Sequence, residues 1–315
     1  MFAVFGFVIL SHRAPAQLSR LVGALNALYD RPPVAIHHDF GQSALDVGGF
    51  PSNVRFVHPH HKTAWGKWSL VKATLSGLRT LYGFSDPDYF ALLSGADYPI
   101  RHADQALADM RALGADAFID AFSLDRALAG DIEIGQPNLA HHRAWGNVLL
   151  ARNRYLRNQI KFPVVRTFSA GGAGKARFAL GRYTYPLPFK AVLGPYSEAY
   201  RCYVGSQWFT ATREIAQTIL NPSASDKALQ RWLSTRIVPD ESYFQTVICN
   251  RSDLPRVGRT FRFAEWNGGG AHPTNLGMAD FDDMLGSGDH FARKFEEDDP
   301  VLDAIDDHLG LRRGV

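Results

Sequence analysis

Asp39, Asp97, the pair Asp240-Glu241 and the cations Arg293-Lys294 are the residues whose types and settings could carry chemistry. Asp97 follows Tyr89-Phe90-Ala91-Leu92-Leu93, a short apolar run that reads as a strand buried on both faces. Ligands of an open α/β sheet collect outside the carboxyl ends of its central strands, so Asp97 is expected on the floor of a cleft. Asp39 follows Val34-Ala35-Ile36 at a second strand end, where a carboxylate often accepts hydrogen bonds from a ribose or base. The plainer readings of these two acids are a turn cap and a loop acid. Pro239-Asp240-Glu241 puts two acids in the first turn of a helix, where compensation of the helix dipole is the plainer role. Phe291-Ala292-Arg293-Lys294-Phe295 sets two cations between aromatic residues, and its plainer reading is an element edge with snorkelling side chains.

Other chemistries are discounted. The chain has no G-x-x-x-x-G-K-[ST], no G-x-G-x-x-G and no G-x-S-x-G. His58, His60 and His61 are interrupted by Pro59 and lack a second ligand set at helical or hairpin spacing, so no metal is expected there. Asp86-Pro87-Asp88 precedes a strand, and Asp280-Phe281-Asp282 opens a helix. Neither is placed to hold a cation on a diphosphate.

The elements that must position these residues follow from periodicity. Phe2 to Leu10, Val34 to Ile36, Val54 to Val57 and Tyr89 to Leu93 read as strands. Between them, Ala16 to Leu28 and Lys67 to Tyr82 carry helical apolar stripes. This order predicts an α/β fold with a doubly wound, mostly parallel sheet flanked by helices. A helix over 103–113 and a strand over 117–122 follow. From Leu124 to Tyr200 the periodicity is poor and loops are expected. Strand 205–209, helices 212–220 and 228–233, a helix after Pro239, strand 262–266 and a closing helix 301–309 complete the reading.

With 315 residues, 46% hydrophobic and 21% charged, the chain can bury a large core. The net charge of +3 is unevenly spread: between Arg143 and Arg201 there are eleven Lys/Arg and one acid, Glu198. Such a segment suits an anionic acceptor or a membrane surface as well as a solvated face. Nucleic acid is not expected as a partner, because no recognised module accompanies the arginines. Two cysteines, Cys202 and Cys249, fit a reducing compartment. The apolar opening is too short to span a bilayer and lacks a signal-peptide layout. A cytoplasmic protein, able to sit peripherally on the inner membrane, is expected.

Six motifs occur in order: Ile36-His37-His38-Asp39, Trp65-Gly66-Lys67-Trp68-Ser69-Leu70-Val71, Leu92-Leu93-Ser94-Gly95-Ala96-Asp97-Tyr98-Pro99, Gly205-Ser206-Gln207-Trp208, Pro239-Asp240-Glu241-Ser242-Tyr243-Phe244-Gln245-Thr246 and Phe291-Ala292-Arg293-Lys294-Phe295. With them the chain resembles the core-2/I-branching β-1,6-N-acetylglucosaminyltransferase and peptide O-xylosyltransferase family, glycosyltransferase family 14, in a bacterial-type form. The resemblance runs from about Phe7 to Leu309.

The resemblance implies a GT-A type fold spanning 1–315, with a nucleotide-binding half over 1–123, an irregular basic insertion over 124–204 and an acceptor and catalytic half over 205–315. It implies inverting transfer from a UDP-sugar, with N-acetylglucosamine or xylose as the sugar, to a glycan or lipid-linked acceptor. No cofactor or metal is expected. Glu241 matches the catalytic base, Lys294 the diphosphate-binding lysine and Asp39 the nucleoside-binding acid. Asp97 belongs with the donor site, and Trp266 and Trp208 with the acceptor side. A second cation on the diphosphate has Arg262, Arg293 and His272 as candidates. Direct displacement needs one base on the acceptor hydroxyl and positive charge for the departing UDP, which these residues can supply. The rival from another class is a non-catalytic glycan- or nucleotide-sugar-binding module on the same fold.

Overall fold

The computed structural model describes residues 4–123, the strands at 164–167, 175–180 and 183–190, and residues 195–311 apart from 198, 235, 237 and 267–272. In chain order the first half contains β1 (Phe5–Ser11), α1 (Pro15–Leu28), β2 (Val34–His38), β3 (Val54–Phe56), α2 (Trp68–Phe84), β4 (Tyr89–Ser94), β5 (Asp97–Pro99), α3 (Ala103–Leu113), β6 (Ala117–Phe118) and β7 (Ala121–Ser123). Then come β8 (Val164–Thr167), β9 (Lys175–Leu180), β10 (Tyr183–Lys190), β11 (Tyr203–Gly205), β12 (Thr210–Thr212), α4 (Arg213–Leu220) and α5 (Ala224–Leu233). The chain closes with α6 (Tyr243–Cys249), β13 (Arg256–Val257), β14 (Arg262–Phe263), α7 (Phe281–Gly286), β15 (Phe291–Arg293) and α8 (Pro300–His308).

Seven strands form the main sheet in the order β13-β6-β12-β4-β1-β2-β3. All of its pairings are parallel except those of β12, which runs antiparallel to both β4 and β6. The expected mostly parallel sheet is therefore present, with one reversed strand inserted beside its centre. All seven residues of β1 are buried, as a continuous apolar run between two helical layers must be. Phe5, Phe7 and Ile9 face a core shared with α1, β5, β15 and α8, whereas Val8 and Leu10 face one shared with α2, α4 and α6. A Cβ on Gly77 would lie 2.4 Å from Val8 Cγ1, so the glycine lets α2 approach β1.

The sequence reading needs correction in several places. The single strand expected at 205–209 is two, β11 and β12, because β11 pairs with β7 outside the main sheet while β12 turns back beside β4. Ser206 to Phe209 is the crossing between them, and it carries Gln207 and Trp208 to the strand ends. Strand 117–122 is likewise broken at Ile119-Asp120 into β6 and β7. Where only loops were expected, β8, β9 and β10 form a three-stranded antiparallel sheet. The remainder of the basic segment up to residue 194 lies outside the described residues. Pro239-Asp240-Glu241 forms a separate 3₁₀ turn, entered through Val238 at φ 52° and set off from α6 by the extended φ of Ser242. No helix among the described residues is long and apolar enough to cross a membrane.

Candidate active site

A cleft of about 470 Å³ lies over the carboxyl ends of β1, β2 and β4, where an open sheet of this kind holds its ligands. It is lined by Ser11 to Ala14, which end and follow β1, and by Ser94-Gly95-Ala96, which end and follow β4. Gln42, Thr63 and Trp65 also line it, as do Gln207, Trp208, Asp240, Glu241 and Trp266. Arg293 to Glu297 close it from above β5. A smaller recess of about 70 Å³ adjoins it between Asp120, Glu241, Arg262 and Trp266. The two share Gln207, Trp208, Glu241, Trp266 and Arg293.

Register places Arg293. β15 runs antiparallel to β5 with Arg293 opposite Asp97, and Arg293 Nε donates to Asp97 Oδ1 at 3.1 Å. Asp97 has no exposed surface; it also accepts from Ser94 N–H at 3.1 Å and from the Ser94 hydroxyl. The expectation of Asp97 on the cleft floor is thus corrected by one layer. β5 tucks its side chain under the Ser94-Gly95-Ala96 loop, where it anchors Arg293 and does not line the cleft. The held guanidinium lies 4.4 Å above the Trp208 ring.

Lys294 follows, with Phe291 and Phe295 buried on either side of the pair. Its neighbours' backbone is pinned: Leu276 N–H donates to Lys294 O at 2.8 Å and Phe295 N–H to Ala96 O at 2.9 Å. Burial lowers the Lys294 pKa, and the charges of Arg13 and Arg293 lower it further, with Glu296 opposing. Arg13, Arg293 and Lys294 therefore bring three cations to one cleft. Sequence reasoning missed Arg13. The available signal was its place two residues beyond the end of β1, at the carboxyl edge of the sheet.

Part of Glu241 faces the cleft and the recess, while its carboxyl lies deep enough that burial raises its pKa well above the ordinary value. The neighbouring Asp240 and Asp120 raise it further, and Arg293 opposes. Asp240 is itself pushed up to about 7 by burial. Two adjoining carboxyls in one poorly hydrated wall raise each other's proton affinity.

Asp39 lies just beneath the surface without exposed area, and it also does not line the cleft. Gly41 N–H donates to Oδ1 at 3.1 Å, while Oδ2 accepts from Gln42 Nε2, Thr63 N–H and Thr63 Oγ1 at 2.7 to 2.8 Å. Burial works to raise its pKa, but these hydrogen bonds outweigh burial and hold it well below the usual carboxylate range. In this structure Asp39 sets the positions of Gln42 and Thr63, which do reach the cleft.

Arg262 lines the recess but not the cleft. Its guanidinium donates to Thr260 O, Leu92 O and Thr210 Oγ1 and lies 4.6 Å from the Phe291 ring centroid. Burial lowers its pKa to about 10, with Asp97 opposing. Its hydrogen-bonding is directed into the fold, and of the two only Arg293 lines the cleft with Lys294. His272 lies outside the described residues. Trp208 and Trp266 line both spaces.

The discounted groups have structural partners. His61 N–H donates to His37 Nε2 at 2.9 Å, the two rings stack at 5.7 Å, and burial lowers the His37 pKa to about 4. Arg213 pairs with Asp86 and Asp88, and Asp280 accepts from Gly277 N–H. Among the described residues no three His, Cys, Asp or Glu stand together as a metal site.

A mostly parallel sheet with a cleft over its strand ends, one reversed strand beside its centre and a second small sheet of β14, β15 and β5 is a GT-A-like glycosyltransferase fold. Residues 7–130 and 174–285 match the sequence model of the family described as Core-2/I-Branching enzyme, and the chain belongs to that family, glycosyltransferase family 14. The match takes in Glu241 and stops short of Lys294. Similar proteins include the beta-glucuronosyltransferase GlcAT14C of Arabidopsis thaliana, 32% identical over 76% of this chain and 54% of its own length. GlcAT14A of the same plant is 34% identical over 37% of this chain and 27% of its own. Xylosyltransferase 1 of Homo sapiens is 28% identical over 83% of this chain and 24% of its own. The chain spans about half or less of the length of these curated relatives.

Proposed function

We propose that the chain is an inverting glycosyltransferase that moves a sugar from a UDP-sugar to a hydroxyl of a glycan or lipid-linked acceptor, with side-chain cations in place of a divalent metal. The observation that carries the reading is Glu241, a carboxylate of raised proton affinity that lines both cleft and recess, in a cleft also lined by Arg13, Arg293 and Lys294. Lys294, Arg13 and Arg293 are assigned to the diphosphate, and Trp208 and Trp266 to the acceptor. Gln42 and Thr63, positioned by Asp39, are assigned to the nucleoside.

In the proposed step the acceptor oxygen attacks the anomeric carbon, and its proton passes to Glu241. The bond from that carbon to the diphosphate oxygen breaks, and the electron pair leaves with UDP. The raised pKa of Glu241 makes it a stronger base than an exposed carboxylate. The cations offset the charge that grows on the leaving group, as a point charge from Lys294 and as planar forks from the arginines. Xylose, N-acetylglucosamine and glucuronic acid form the donor panel. Xylose and glucuronic acid are the sugars in the relatives' names. A cytoplasmic setting with peripheral membrane contact belongs to the same proposal.

A UDP-release assay over that panel, with and without saccharide acceptors, tests the reading. Turnover with one donor is the expected result. Binding of UDP-sugars without any turnover would instead make the chain a binding module.

A further inference from the structure

Buried polar atoms normally have partners, so those that lack one in a cleft wall point to what the cleft receives. Asp240 is 3% exposed and Gln207 8% exposed, and both line the cleft beside Glu241. Asp240 Oδ1 and Gln207 Nε2 have no hydrogen-bond partner among the described residues. Each lies within a rigid setting. Asp240 sits in a 3₁₀ turn next to α6, and Gln207 is two residues beyond Gly205, where a Cβ would lie 1.8 Å from Asp120 O. Only glycine allows β11 to approach Asp120 so closely, and the approach fixes the crossing that carries Gln207.

Gln17, 2% exposed, also lines the cleft, and both its amide atoms lack a partner among the described residues. Asp240, however, is next to Glu241 in the chain, and Gln207 shares both cleft and recess with it. The orphaned atoms of Asp240 and Gln207 are of opposite kind. A carboxylate oxygen can only accept, and an amide nitrogen can only donate. A diphosphate only accepts and would satisfy Gln207 alone, whereas a uracil base and a sugar hydroxyl both donate and accept. With the nucleoside assigned to Gln42 and Thr63, and with Asp240 and Gln207 lining the cleft together with Glu241, the sugar ring is the occupant that fits. Resting on the proposed transferase reading, we infer that Asp240 and Gln207 are specificity-determining residues that read hydroxyl groups of the sugar ring held at Glu241, Asp240 by accepting from one and Gln207 by donating to one.

This assignment separates Asp240 from Glu241 although they adjoin. Glu241 takes the proton of the reacting hydroxyl, and Asp240 holds a hydroxyl that does not react. The ring is that of the donor sugar or of the acceptor, and the same chemistry serves either.

Calorimetry decides without need of turnover. Asp240→Asn and Gln207→Leu are each titrated with UDP, with UDP-xylose, UDP-glucuronic acid and UDP-N-acetylglucosamine, and with methyl β-galactoside in saturating UDP. UDP alone should bind both variants as it binds the wild type. The ring's contribution should fall by roughly tenfold or more in at least one arm, since a hydroxyl contact to a buried charged or amide group is lost. A fall in the UDP-sugar arm identifies the donor ring, and a fall in the galactoside arm the acceptor ring. Because Asp240→Asn removes a buried charge whose Oδ1 has no partner among the described residues, its thermal midpoint should hold or rise, which a merely structural role would not produce. Unchanged ring affinity in both folded variants overturns the inference. A wild type that binds UDP-sugars with the expected variant losses but never turns over would sink the transferase reading alone; one that binds neither UDP-sugar nor saccharide would sink both.

Discussion

Arg293 is held by a carboxylate that never reaches the cleft: Asp97, wholly buried beneath the Ser94-Gly95-Ala96 loop, accepts from Arg293 Nε at 3.1 Å while the guanidinium lies over Trp208. One buried acid thus fixes a cation of the cleft against an aromatic ring that also lines it. Removing one partner of a buried ion pair leaves the other uncompensated and typically costs about 3–5 kcal/mol. Asp97→Ala should therefore lower unfolding stability by about 3 kcal/mol and also weaken UDP-sugar binding. Denaturant unfolding and calorimetry measure the two. Full stability in the variant would show that Arg293 does not depend on Asp97.

Glu241→Gln should abolish transfer and leave UDP binding nearly intact, because the base acts on the acceptor and not on the nucleotide. Loss of a general base is worth on the order of 10²–10⁴-fold in rate. Wild-type turnover in the Gln variant would reduce Glu241 to a turn residue.

The pH dependence has a defined sign. Glu241 must be deprotonated to act, and burial with Asp240 and Asp120 nearby raises its pKa well above 4.5. The rate of transfer should rise with pH along a limb lying above the usual carboxylate range, and Glu241→Gln should erase that limb. Stability runs the other way. Asp240 has its folded-state pKa raised from 3.8 to about 7, so its contribution is fully present below pH 3.8 and is lost as the pH rises through about 7. Asp240→Asn should flatten that decline. A rate limb at pH 4 and a stability curve indifferent to Asp240 would contradict both assignments.

The fold was legible because its central strands are continuous apolar runs and its helices carry clean stripes. β1, β2 and β4 and helices α1, α2 and α3 lie where periodicity puts them. Short elements were not legible. Whether 205–209 is one strand or two depends on β7 and β4 competing for its ends, which no local pattern records. Among site residues, Glu241, Lys294, Arg293, Trp208 and Trp266 meet at the cleft. Asp39 and Asp97 were recognisable as strand-end acids, but a strand end does not tell whether a carboxylate points into the cleft or holds the loop that does. Arg13 was missed because an arginine after a strand has no distinctive spacing.

Transfer should survive excess EDTA. Arg13, Arg293 and Lys294 line the cleft and can meet the diphosphate directly, which is the positive ground for expecting no metal requirement. An assay run in chelator and then in added Mn²⁺ or Mg²⁺ checks this. Activity lost in EDTA and restored by either ion would mean that a cation is needed after all.

Lys294 and Arg13 should share the diphosphate charge. The two are close enough that Arg13 lowers the Lys294 pKa, so in the empty cleft they repel, and an anion between them relieves the repulsion. Lys294→Ala should lower UDP affinity roughly ten- to a hundredfold, in keeping with a lost charged hydrogen bond of about 1.5–3 kcal/mol. Arg13→Ala should lower it by a similar factor, and Lys294→Arg should keep part of it, since the charge remains while the compact geometry does not. Because both cations face one ligand, the double variant should lose an amount that differs from the sum of the single losses, as neighbouring groups do. Calorimetry with UDP and uridine provides the contrast, for uridine lacks the diphosphate and its affinity should stay constant through the series. Equal losses for UDP and uridine would place these side chains at the nucleoside. Unchanged UDP affinity in folded Lys294→Ala and Arg13→Ala would move the diphosphate to Arg293.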